Sequence, residues 1–519
     1  MKTLLATLAV TVLLGSVCVA QSKSGPLAVL SCASYDKLIT DVTAIGEWCG
    51  DAGLGQRLQL LLLTLPQGDA TNEPLAMDTA RPWGAVLPAG KSISIPYMFL
   101  PVADIAPLVD LMQGQLGCTV TVEDRVYRIP FGRQTIYAVQ HRRWAFLADS
   151  QQQLEGVAAD PESLLGDLPK RYDLAIHASI RELPQEYRQQ FSSQFCLDDM
   201  DDLLLGWNID SQTRTSYVDL EVHAKTGSKL AERLAQVKPG KSNFFGLAMP
   251  NAAVTAIASA ELSDEQVGQV SGLLSIVHML GVGQLQSQGL NEMTFQRASR
   301  LLDVVTDVLR KVATHKKLDV GLAIRLDSTG GTLLAGVSLA NAARLETIFQ
   351  RATDEIPEND QVAKTIAIGA ETYNGIHLHT ISLAMSDRQL APLVGDRLET
   401  AVGIADDKVL IAVGRDAVST LKNAIDRLKG TDAKEAPPLK ITVAVAPAAR
   451  LLATVGEDPS LKANAAMLAG LFQNDDGKAC VTLSAQHIPQ GAQMRLRADE
   501  NVLRALTLLA QMIGTYLPK

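Results

Sequence analysis

Aromatic residues make up only 4% of the 519-residue chain, so any core is assembled mainly from Ala, Leu, Val and Ile. Long basic runs are absent and the net charge is −9, which argues against a nucleic-acid binder, since that needs a concentrated basic surface to displace counterions. After the first 20 residues no stretch has the roughly 20 uninterrupted apolar residues of a membrane helix; the densest, Leu60 to Leu65, is far too short. There is no G-x-S-x-G, no H-E-x-x-H and no Cys-x-x-Cys, so the common hydrolase and zinc patterns are missing. Hydrophobic residues at 47% and charged residues at 20% otherwise describe an ordinary globular chain, long enough for about two to four domains.

What is present begins with a targeting signal. Lys2 supplies a positive start, Leu4 to Leu14 an apolar segment, and Cys18-Val19-Ala20 small residues at a cleavage position before Gln21. Residues 1–20 therefore read as a signal peptide, and the mature chain as exported to a periplasm or beyond. Cys18 is preceded by Val17, which departs from the usual lipidation site. Five cysteines remain after cleavage (6 − 1): Cys32, Cys49, Cys118, Cys196 and Cys480. A Cys32–Cys49 bridge is conceivable in an oxidising compartment, beside the plainer reading of separate buried thiols. The odd number leaves at least one without a partner in the chain.

The most informative stretch is Thr135 to Ala158, TIYAVQHRRWAFLADSQQQLEGVA. Alternation predicts a strand to Gln140, a polar turn His141-Arg142-Arg143, and a second strand Trp144–Ala148, apolar on both faces and so covered on both sides. Asp149 or Ser150 is then placed to cap a helix. Thr400 to Leu428 repeats the pattern: turn Asp406-Asp407-Lys408, strand Val409–Val413, and a helix with Val418, Leu421, Ala424, Ile425 and Leu428 on one side.

The same strand–strand–helix unit recurs. In the first half it spans Pro82–Gln113 and Leu203–Val237, in the second Asp319–Arg351 and Ala479–Met512. Other predicted elements are a strand Leu27–Ala33, a helix Asp36–Trp48, a helix Leu54–Leu65, a strand Phe244–Met249 opening the second half, and a long helix Asn291–Thr314. Lys238-Pro239-Gly240 marks a boundary and Lys429–Pro438 a further exposed linker. Trp83-Gly84-Ala85-Val86 aligns with Val320-Gly321-Leu322-Ala323 at an offset of 237 (320 − 83), and the same offset carries Leu108 onto Leu345 and Met112 onto Phe349. One offset kept from strand to helix points to duplication. The expected fold is α+β: two similar halves, 21–238 and 243–519, each a mainly antiparallel sheet of repeated strand–strand–helix units backed by helices.

Candidate chemistry is sparse. His377 and His379 lie two apart on a predicted strand, so both imidazoles share a face that could hold a metal, although spacing supplies no third ligand. Asp198, Asp199, Asp201 and Asp202 cluster without the glycine turn of a calcium loop. Gly84 to Gly90-Lys91-Ser92 misses a phosphate loop by one residue. Ser34-x-x-Lys37, Ser419-x-x-Lys422 and Lys225-Thr226-Gly227 match fragments of a penicillin-binding pattern, but in the wrong order and without S-D-N. Each stretch has a plainer explanation as a cap, turn or solvated face.

The recurring units, the leader and the polar break resemble exported bacterial proteins of unknown function built from duplicated α+β domains. That likeness is architectural and carries no active-site residues. It implies a non-enzymatic binding or structural protein of the cell envelope, with no cofactor, no nucleic acid, no membrane span after signal cleavage, and an unidentified protein or small-molecule ligand. A carrier of a lipid or other apolar ligand, and an exported hydrolase whose residues meet only in the fold, are the alternatives.

Overall fold

The computed structural model describes residues 25–63, 77–90, 95–236, 238–249, 251–287, 316–327, 330–340, 366–384, 395–429, 433–455, 458–472 and 479–507, with isolated positions between 292 and 314 and between 342 and 350. The predicted leader and most of the Pro66–Arg81 loop lie outside the described residues, as do Lys91 and Ser92, Phe349, and the helix end beyond Thr507. The architecture is α+β, with extensive antiparallel sheet backed by helices. Among the described residues no helix is long and apolar enough to cross a membrane. The chain divides into two compact units. Unit 1 runs to Glu232 and resumes at Ile488; unit 2 is Arg233–His487.

Unit 1 begins with β1 (Pro26–Cys32), β2 (Trp83–Pro88), β3 (Tyr97–Pro101), β4 (Thr121–Glu123), β5 (Val126–Phe131), β6 (Gln134–His141), β7 (Trp144–Ala148), β8 (Leu174–Ser179), β9 (Met200–Asp210) and β10 (Thr215–Ala224). Antiparallel pairings set the order β4-β5-β6-β7-β3-β2-β1-β8-β9-β10. The predicted hairpin in the central stretch forms, with Arg142 in the left-handed region (φ 55°) at its turn. As its two apolar faces require, β7 is interior, paired with β3 and β6, and Trp144, Ala145 and Phe146 are buried. The helix after it is only Gln151–Leu154, and Ser150 occupies the cap position without making a side-chain cap bond. The helix predicted over 36–48 forms as Tyr35–Trp48; Ser34 Oγ accepts from Lys37 N (3.1 Å), and Leu38, Val42 and Trp48 pack with Cys32 and Ile209. The helix of the Pro82–Gln113 unit starts at Ala106, with Pro107 in its first turn, and ends at Leu116 before Gly117 (φ 58°).

Unit 2 contains β11 (Gly240–Ser242), β12 (Ala252–Glu261), β13 (Lys317–Asp327), β14 (Gly330–Ser338), β15 (Ile366–Tyr373), β16 (Ile376–Ala384), β17 (Arg397–Ile404), β18 (Lys408–Gly414), β19 (Lys434–Ala436), β20 (Leu439–Ala444) and β21 (Cys480–Ile488). Its order is β15-β16-β17-β18-β14-β13-β12-β20-β21. The expected strand over Phe244–Met249 does not form. Phe244 and Leu247 are three residues apart on a single tight turn and plug the core, and the first long strand is β12. The two stretches read as linkers are not both free: β11 and β19, one from each, pair with each other. The helix Ala417–Lys429 forms as its apolar spacing requires. Leu421, Ala424 and Ile425 are buried with Phe244, Leu247, Leu334 and Leu410.

The last described strand, β22 (Gly491–Asp499), returns to unit 1 and pairs antiparallel with β10 from Asp499↔Thr215 to Gly491↔His223. The five cysteines Cys32, Cys49, Cys118, Cys196 and Cys480 are all free thiols, so the conceivable Cys32–Cys49 bridge does not form. Burial pushes the Cys32 thiol up to about 12.

Leu410 is fully buried in the unit 2 core. Leu410→Ala is expected to cost about 2–5 kcal/mol through lost contact and residual cavity. Because all four tryptophans (Trp48, Trp83, Trp144 and Trp207) lie in unit 1, hydrogen exchange on β17 and β18 peptides is the appropriate readout.

Candidate functional site

Two places gather chemistry-bearing side chains. The first is a depression of about 390 Å³ in unit 2, lined in part by Glu346, Asn374, His377, Asp406, Lys408 and Lys429. Asn374 (φ 52°) and Gly375 (φ 79°) form the two-residue turn between β15 and β16, a turn that demands positive φ at both positions. That turn sets His377 on the strand next to Glu346, with Nδ1 2.8 Å from Oε2. Lys429 Nζ donates to Asn374 Oδ1 (3.2 Å), and Asp426 accepts from Asn374 Nδ2 (2.7 Å) and from the Tyr373 hydroxyl (2.8 Å).

His379 is placed quite differently from His377. It is buried, and its Nδ1 accepts from Gly369 N–H (3.1 Å). Burial pulls its pKa below the ordinary histidine value, against an opposing pull from Glu346, and the His377 neighbour lowers it further. The strand therefore places both imidazoles on one face as expected, but one is half-exposed on a carboxylate and the other is a neutral core acceptor. Among the described residues no group of three or more His, Cys, Asp or Glu is arranged to hold a metal ion. No Ser, Thr or Cys lines the depression, so the His377–Glu346 pair faces no hydroxyl or thiol nucleophile there among the described residues.

The other sequence candidates resolve as scaffold. Ser34 caps a helix, and Lys37 bonds Asp41 (2.8 Å) and the buried Asp173, whose other oxygen accepts from Ile209 N (2.7 Å). Ser419 Oγ donates to Asp416 O (3.0 Å) at a helix start. Lys225-Thr226-Gly227 leaves β10 through Gly227 (φ 77°). Asp198 and Asp199 lie in a short helical turn, while Asp202 pairs with His177 (3.6 Å) and Arg181 (3.7 Å). Gly84 is a mid-strand residue whose absent side chain admits the Leu30 carbonyl.

The second place was not anticipated from sequence. On one face of β10, Asp219 and Glu221 are buried. Arg495 on β22 grips Asp219 through two bonds, Nε to Oδ1 and Nη2 to Oδ2, each 2.7 Å. Gln493 Nε2 donates to Asp219 Oδ2 and Glu221 Oε1, each 2.8 Å, and the Tyr172 hydroxyl reaches the same two oxygens at 2.9 and 3.1 Å. Arg171 donates to Glu221 and stacks its guanidinium 4.9 Å over Tyr172, while Arg495 lies 4.1 Å over Tyr217. His223 Nε2 is 3.8 Å from Glu221 Oε2. Burial alone would raise the Glu221 carboxyl; the neighbouring His223, the Arg171 charge, and the bonds from Arg171 and Tyr172 outweigh it and hold it at about 2. His223 is raised by the same carboxylate, and Tyr172 is pushed well above the ordinary tyrosine value by burial and by Asp219. Both oxygens of each carboxylate therefore face a donor or a cation. The arrangement holds β22 on β10, 272 and 274 residues apart in sequence.

The reverse face of the same strands is apolar. Val218 pairs across with Trp207 and Leu496, and Leu220 with Leu205 and Met494. Leu205, Val218, Leu220, Met494 and Leu496 are each 36–48% exposed, although Asp219 and Glu221, which alternate with Val218 and Leu220 along β10, are buried. No protein-family model, no curated protein and no solved structure matches the chain.

Two predictions follow from the buried network. Asp219→Ala strands Arg495 and Gln493 and is expected to cost about 3–5 kcal/mol, read from the urea midpoint of tryptophan fluorescence, which reports unit 1. The pH dependence has two limbs. Glu221 is depressed in the fold, so its contribution is present above the unfolded carboxyl value near 4.5 and is lost as pH falls towards about 2. His223 is raised, so its contribution is complete below about 6.5 and is lost as pH climbs through its folded value. Unit 1 should therefore be most stable between about pH 4.5 and 6.5, and His223→Gln should remove the alkaline limb only.

Proposed function

We propose that this protein is an exported, non-enzymatic binding or structural component of a bacterial cell envelope, built from two copies of one α+β module. Support for duplication comes from the pairings within each unit. The order β4-β5-β6-β7-β3-β2-β1-β8-β9 becomes β15-β16-β17-β18-β14-β13-β12-β20-β21 when each strand is replaced by its counterpart in chain order. Such an order recurs by chance only rarely, and the 237-residue offset between Trp83 and Val320 joins β2 to β13, which occupy corresponding places in it. The three-part leader pattern in residues 1–20 supports export.

The observation that carries the binding role is the contrast between the two faces of β9, β10 and β22. On one face the carboxylates of Asp219 and Glu221 are buried and paired, and they hold β22 on β10. Apolar side chains are left exposed on the other. Exposed apolar patches on monomeric proteins commonly mark interaction sites. The hydrolase alternative draws what support it has from the His377–Glu346 pair in its depression.

The test is made on protein purified from the envelope of the producing cell. An N terminus at Gln21 and a partner or ligand retained in native mass spectrometry are expected. Turnover of envelope esters, peptides or glycans that disappears in His377→Ala would overturn the non-enzymatic reading and promote the hydrolase.

A further inference from the structure

We propose that the exposed face of β9, β10 and β22 is a seat for one acyl chain of a monomeric lipid. This deepens the binding role above and rests on it. The face is three strands wide and three rows long. Its rows are Trp207–Val218–Leu496, Leu205–Leu220–Met494 and Leu203–Val222–Ala492. Side chains directly across a ladder share a face, so all nine point the same way, and none is ionisable.

Its size selects the occupant. Strands about 4.8 Å apart and residues about 3.4 Å apart give a patch roughly 15 Å wide and 20 Å long once side-chain reach is added, or about 300 Å². A stable protein partner, a second copy of this chain included, buries about 800 Å² on each side, so the patch is too small to carry one. One acyl chain spans about half of the roughly 30 Å hydrocarbon core of a bilayer, about 15 Å, and so fits within the length of the patch. The lack of charge in the three rows suits a hydrocarbon chain and offers nothing to a peptide's polar backbone. Binding to a membrane surface would draw on basic residues around the patch. The two arginines of β22, Arg495 and Arg497, instead alternate onto the opposite face, where they pair with Asp219 and Asp499.

The experiment uses the mature full chain and a fluorescent long-chain polyene fatty acid as probe. Saturable binding of one probe per chain is expected. Leu220→Lys and Met494→Lys should each weaken it by about tenfold or more, since the ammonium must be desolvated beneath the chain. Val122→Lys, at an apolar position 60% exposed on β4 and away from the patch, should leave it unchanged. All positions are exposed, and equal urea midpoints show that the variants fold; Leu220→Gln repeats the test without adding charge.

The proposal falls if the wild type does not bind the probe, or if all variants bind it alike. It falls also if the wild type sediments as a dimer that Leu220→Lys dissociates, because a second copy then covers the face. Retention on neutral phosphatidylcholine vesicles without binding of the monomeric fatty acid would make a membrane surface the occupant and overturn it as well. If the fatty acid fails while native mass spectrometry retains another ligand, the acyl seat falls and the binding role stands.

Discussion

Unit 1 is closed by a buried ion network. β10 would end the β4-to-β10 sheet if β22 did not add to it, and β22 arrives from the far end of the chain. Backbone hydrogen bonds alone would permit β22 to slip along β10. The Arg495 fork on Asp219 and the Gln493 bridge between Asp219 and Glu221 permit one register, because each donor meets its acceptor only there. Two carboxylates removed from water would be costly if unpaired. Here every carboxylate oxygen that is buried faces a donor or cation, so desolvation is offset and the penalty falls on any other register.

That arrangement reverses the usual assignment of strand faces. In TSYVDLEVHA the alternating apolar residues Val218, Leu220 and Val222 would ordinarily be read as the core side. In the fold Asp219 and Glu221 are buried, and Val218 and Leu220 are open. Charge satisfied inside leaves the apolar face available outside, so the anchoring of β22 and the proposed binding seat are two faces of one alternation.

Much of the fold was legible because local patterning and packing agree. The hairpin β6–β7, the helix Tyr35–Trp48 and the helix Ala417–Lys429 each combine turn or cap residues with a clear apolar period. The failures share a cause. Phe244–Met249 looks like a strand because it is short and apolar, which does not distinguish a strand from a turn that drops two side chains into a core. The pairing of β11 with β19 was hidden because three-residue strands rich in Gly, Lys and Glu carry no periodicity. For the candidate site, the histidine pair was visible but Glu346 and the Asn374–Gly375 turn beside it were not read, although Asn-Gly is itself a strong hairpin signal.

The amino-acid order alone determined the alternation of strands, the helices with a clear apolar period and the acidic balance, since each depends on neighbours within a few residues or on simple composition. Tertiary structure decided which face of β10 meets water, that Cys32 and Cys49 stay apart, and that His377 and His379 have opposite environments. Those outcomes turn on partners such as Arg495, Gln493 and Glu346, brought in from distant parts of the chain. A side chain's period tells how it alternates; only the charge and volume it meets across the fold tell whether it is inside.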